Sequence, residues 1–153
     1  MKYLWYLSFF FLLALGFAYF HKPKTDSVAI AEPTSVFRKI NENSLFDTIQ
    51  EWRLREGLPR YQKSDFLCEI AEKRLGDIKQ NYSHDGFRAT LEQFCKNDCT
   101  VSENLVHGPL YGEETALNAW LNSASHSAAL RENYKFSCVK SDGYYAVHLF
   151  GNF

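Results

Sequence analysis

The chain lacks an excess of charge of either sign. Seventeen Lys and Arg stand against 18 Asp and Glu, for a net charge of −1 over 153 residues. There is no basic field to attract a polyanion, so no nucleic-acid partner is expected. No internal repeat is visible. H-E-x-x-H, G-x-S-x-G, a P-loop and G-x-G-x-x-G are all missing, so no catalytic or nucleotide-binding signature is available to name a reaction. Cysteine is scarce, at four residues. Charge is also missing locally: residues 3–20, YLWYLSFFFLLALGFAYF, carry none.

That uncharged run is the clearest single feature. Eighteen helical residues span about 27 Å, close to the roughly 30 Å hydrocarbon core of a bilayer. The run is longer than a typical signal-peptide core, and Tyr19 and Phe20 extend it past the small-residue pair Gly16 and Ala18. A retained transmembrane helix is therefore favoured over a signal peptide cut near Ala18. Under either reading the rest of the chain leaves the cytoplasm, anchored to the membrane or secreted. Lys2 before the run and His21, Lys22 and Lys24 after it give no firm orientation. Residues 21–43 hold two prolines and no sustained periodicity, and read as a linker.

The remainder, 44–153, has the length of one domain. At 46% apolar and 23% charged residues, the composition is that of a globular chain. Ser44 is a candidate N-cap for a first helix with Leu45, Phe46, Ile49 and Trp52 on one face, ended by Gly57 and Pro59. Ser64 opens a second helix whose stripe is Phe66, Leu67, Ile70, Ala71, Leu75 and Ile78. Arg55, Glu69, Glu72, Lys73 and Lys79 read as solvated face. Residues 87–94 can form a short helix, and 112–123 a stronger one containing Trp120 as core. At the end, KFSCVKSDGYYAVHLFGNF alternates around Asp-Gly, the signal of a β-hairpin. Helices first and an antiparallel hairpin last indicate an α+β domain.

In an exported domain, four cysteines suggest disulfides. Lys-Asn-Asp between Cys95 and Cys99 makes a local Cys95–Cys99 loop reasonable, which leaves Cys68–Cys138. A four-cysteine zinc site is the competing reading. NYS at 81–83 also fits a glycosylation sequon.

Six pieces recur in a definite order: a first helix leading into REGLP, then LCEIAEKRLGDI, SHDGF, SENL, AWLNSASHSAALRENY and YYAVHLFGNF. In that order and spacing the sequence resembles the CAP superfamily, also called SCP-like, in its small bacterial branch. The resemblance covers residues 44–153. It implies an α-β-α sandwich around a small antiparallel sheet and a cleft lined by histidines and acids. Carried over, the first histidine is His84, the first acid Glu103 and the second histidine His126. The second acid of eukaryotic relatives falls on Ser123, so that tetrad is incomplete here.

Two imidazoles and a carboxylate suit Zn²⁺ or another divalent ion with an open position. Glu103 fixing loop geometry in a purely polar network is the alternative. Asn104 reads as satisfying local backbone, His107 as structural, and His148 as a residue that could line the cleft. Three functions follow as expectations: a membrane-anchored module binding a small molecule, metal ion or cell-surface component; a metal-assisted peptidase or cell-wall hydrolase; and an interaction domain whose triad only stabilises loops.

Overall fold

The structure is a computed structural model that describes residues 39–95, 99–109 and 111–153. The expected hydrophobic helix of residues 3–20 and most of the expected linker lie outside the described residues. Among those described, no helix is long and apolar enough to cross a membrane.

Helix α1 spans Glu42–Arg55. Its cap is Asn41, not Ser44: Asn41 Oδ1 accepts from the backbone N–H groups of Asn43 and Ser44 at 3.0 and 3.1 Å. Asparagine is as good a cap as serine, and it starts the helix three residues earlier than Ser44 would. Ile40, before the cap, is already in the core. At the other end Leu58 N–H bonds Arg53 C=O and Gly57 N–H bonds Leu54 C=O, with Gly57 at φ +75°. That pair of bonds needs a left-handed residue at Gly57, and Pro59 then prevents any return to the helix.

Helix α2, Asp65–Gln80, is capped by Ser64 as expected. Helix α3 covers Asp85–Phe94, α4 Glu113–Leu121 and α5 Ala124–Arg131. Strand β1 is only Gln62–Lys63, β2 is Thr100–His107, β3 Phe136–Ser141 and β4 Tyr145–Asn152. The sheet order is β1-β3-β4-β2. β4 pairs antiparallel with β3 and β2, and two-residue β1 adds a parallel pair at the far edge.

Alternation sends the two faces of the sheet into two cores. Val106, Val139, Ala146 and Phe150 pack with Leu45, Ile49, Trp52, Leu117 and Trp120 from α1 and α4. Leu105, Cys138, Val147 and Leu149 pack with Leu67, Ile70, Leu75 and Ile78 of α2. Helices therefore cover both faces, the α-β-α sandwich expected from the resemblance. Both disulfides are present: Cys68–Cys138 ties α2 to β3, and Cys95–Cys99 joins the end of α3 to the start of β2.

Candidate functional site

SENL is a strand and not a loop, and this decides the site. Glu103 and Asn104 are consecutive in β2, so their side chains leave opposite faces of the sheet. β2 is an edge strand. Each of the two residues therefore reaches a different helical layer beside the same edge, and each engages one of the two histidines.

Glu103 points toward α2. Arg74 holds it with a fork, Nε to Oε2 at 2.7 Å and Nη2 to Oε1 at 3.1 Å, and both side chains are 1% exposed. Arg74 Nη2 also donates to Ser83 C=O at 2.9 Å. Glu103 Oε1 lies 2.9 Å from Nδ1 of His84, the residue preceding α3. A carboxylate held by a guanidinium can only accept, so Nδ1 is the donor in this bond and Nε2 is left for other partners. The His84 side chain is 54% exposed. A fully buried ion pair thus orients an imidazole that faces solvent.

Gly86, in the first turn of α3, belongs to the same arrangement. A Cβ there would lie 2.8 Å from Arg74 Nη1. The glycine of SHDGF leaves room for the guanidinium, which the fork prevents from moving aside.

Asn104 points to the other layer. Its Nδ2 donates to His126 C=O in α5 at 3.0 Å. The expected local role is thus replaced by a bond across 22 residues, because the strand carries the side chain away from its own neighbours. Asn104 Oδ1 has no hydrogen-bond partner among the described residues. The His84 and His126 rings lie 5.9 Å apart, centroid to centroid. Burial, and secondarily the neighbouring His84, lower the His126 pKa, which keeps its ring neutral at neutral pH.

The structure brings His84, Glu103 and His126 together. Ser123 precedes α5, and its hydroxyl lies 3.3 Å from that of Ser125. His148 does not line the cleft. It is fully buried, with Nε2 2.6 Å from Ser137 Oγ and its ring packed on Phe150 and Trp120. β4 is the central partner of both β2 and β3, so its inward side chains are core. His107 ends β2 and packs against Tyr82 and Tyr145.

Arg74 and Gly86 were missed by sequence reasoning. Arg74 had a signal: an arginine stands at the stripe spacing of Ile70, Ala71, Leu75 and Ile78, and a cation on an apolar face needs a buried anion.

A divalent ion held by His84, Glu103 and His126 does not fit this arrangement. Both Glu103 oxygens are engaged by Arg74, and Oε1 by His84 as well. Among the described residues no group of three or more His, Cys, Asp or Glu is placed to hold a metal. Two imidazoles remain, half of a tetrahedral set.

No family model and no curated protein matches the sequence. Solved structures do. A cysteine-rich secretory protein from Staphylococcus aureus matches with a TM-score of 0.64 at 22% identity, over 71% of this chain and 37% of that one. An extracellular SCP-domain protein from Bacillus anthracis matches with a TM-score of 0.63 at 23% identity, over 71% and 39%. An outer surface protein from Borrelia burgdorferi matches with a TM-score of 0.63 at 24% identity, over 72% and 90%. The chain spans under two fifths of the first two structures. At these identities the likeness establishes the fold.

Proposed function

We propose that this chain, which has the CAP or SCP-like fold, is a membrane-anchored extracytoplasmic binding module. The uncharged run at 3–20 supports the anchor. Two disulfides support an oxidising compartment. The structural neighbours described as secretory, extracellular and outer-surface proteins are in keeping with that location.

One observation carries the binding reading. Glu103 is tied on both oxygens and passes its orientation to His84, whose half-exposed ring lies 5.9 Å from that of His126. The pair of imidazoles offers directional hydrogen-bonding or ligating groups to a small molecule, an ion or part of a cell-surface polymer. Hydrolysis is disfavoured by the same bonds. Glu103 has no free oxygen to act as a base, and Ser123 stands where eukaryotic relatives of the fold carry a second acid. A purely structural role has its own support, because the Arg74–Glu103 pair links α2, β2 and the turn before α3.

The test is calorimetry on the full chain in detergent, titrated with Zn²⁺ and with soluble cell-wall fragments. A His84→Ala/His126→Ala variant serves as the comparison. Heat in the native chain, abolished in a variant of unchanged thermal stability, supports the module. Turnover of the fragments would replace it with the hydrolase. Silence in both proteins, with only a less stable variant, would leave the structural role.

A further inference from the structure

We propose that the ring cluster of Tyr82, His107, Tyr144 and Tyr145 is a shelf that docks the domain on the lipid bilayer. This rests on the anchor reading above. Tyr82 and His107 have ring centroids 4.0 Å apart, His107 and Tyr145 stack at 5.8 Å, and Tyr144 meets Tyr145 edge-on at 5.1 Å. Tyr82 and Tyr144 are each 42% exposed. Exposed aromatics gathered into one patch mark an interaction surface.

The position of the patch selects the occupant. The chain enters the domain at Lys39, whose side chain packs on Gly143: a Cβ there would lie 2.8 Å from Lys39 Cβ. Ile40 N–H reaches Gly143 C=O at 3.4 Å. Gly143 adjoins Tyr144, and Gly108 N–H bonds Tyr144 C=O, so the point of entry is beside the shelf. The uncharged run ends at Phe20, leaving residues 21–38 between it and Lys39. Even fully extended, a stretch of that length reaches at most about 60 Å, so chain connectivity bounds the distance from the shelf to the membrane. Tethering raises the effective concentration, and a weak shelf then suffices.

The chemistry fits the bilayer boundary. Tyrosine carries an apolar ring and a polar tip, the combination enriched at membrane interfaces. Lys39 and Lys79 border the shelf, and Lys79 neutralises Asp142 at 3.0 Å. Docking would hold the cleft, two residues from Tyr82 at His84, next to the membrane surface.

The test uses the full, isotope-labelled chain in nanodiscs of anionic lipid doped with a nitroxide-headgroup lipid. Docking predicts selective broadening of the amide signals of Gly108, Tyr144 and Tyr145, relieved when the nitroxide is reduced. It predicts loss of that broadening in Tyr82→Ser/Tyr144→Ser, with the remaining spectrum unchanged. Uniform broadening across the domain, in a chain that stays with the disc, would overturn docking and leave the anchor intact. A chain that does not co-elute with the disc would overturn the anchor reading and docking together. Shelf signals that ignore the nitroxide yet shift with a soluble cell-surface glycan would assign the shelf to a glycan and overturn the proposal.

Discussion

At the residue scale the centre of the molecule is Arg74. Breaking a buried ion pair from one side strands the other charge, at a cost of about 3–5 kcal/mol. Arg74→Ala should therefore lower the free energy of unfolding by that amount, because Glu103, 1% exposed beside Arg74, loses its buried partner. Arg74→Met with Glu103→Leu should recover most of the loss, because no charge remains buried, while His84 loses its acceptor. Gly86→Ala approaches the pair from outside. Crowding the guanidinium by a 2.8 Å contact should cost about 1–3 kcal/mol, more than the helix propensity alanine adds. Urea unfolding of the four proteins checks all three; a stable Gly86→Ala would mean that the fork yields. Little of this was legible in the sequence. His84, Glu103 and His126 could be named by resemblance, but their connections depend on which way side chains leave a strand that was taken for a loop.

At the scale of elements, much more could be read directly. The α2 stripe, the Ser64 cap, the Gly57 stop and the Asp-Gly hairpin are local chemistry, and they hold. Asp142 accepts from the Tyr144 and Tyr145 N–H groups, and Gly143 takes φ +96°, the two properties that Asp-Gly brings to a tight turn. Burial disfavours the Asp142 carboxylate, but those two backbone bonds and Lys79 outweigh it and lower its pKa. The cysteine pairing was read from the Lys-Asn-Asp triplet between Cys95 and Cys99, which left Cys68 for Cys138, and both bridges are found. The two bridges should differ in worth. Cys68–Cys138 closes 70 residues and Cys95–Cys99 closes 4. In the chain-entropy model these are about 4 and about 2 kcal/mol. Paired Cys→Ala substitutions, compared by thermal unfolding, should show the larger loss for the long bridge. Equal losses would mean that strain or residual structure dominates the entropy.

At the scale of the whole molecule, buried histidine makes stability depend on pH. Burial, with a smaller contribution from Arg53, holds His148 well below its ordinary value of 6.5. The unfolded chain then binds a proton that the folded chain refuses. Stability is full above about pH 6.5 and falls as pH drops toward the folded value, by up to about 1.4 kcal/mol per pH unit. His126 is shifted in the same direction and adds to the slope. Unfolding measured between about pH 5 and 6.5 should show stability rising with pH. His148→Gln, whose amide can still bond Ser137, should flatten most of that rise. An unchanged slope in the variant would place the titration elsewhere.

What the sequence determined by itself was set by short-range physics: an uncharged run as long as a bilayer is thick, helix stripes and caps, a hairpin and the number of cysteines. These need only neighbours within a turn or two. Tertiary structure alone decided that β2 lies at the sheet edge and that Glu103 and Asn104 serve opposite layers. It also placed Arg74 under the site and removed His148 from it. Those outcomes depend on residues far apart in sequence being brought to one place, which no local pattern encodes.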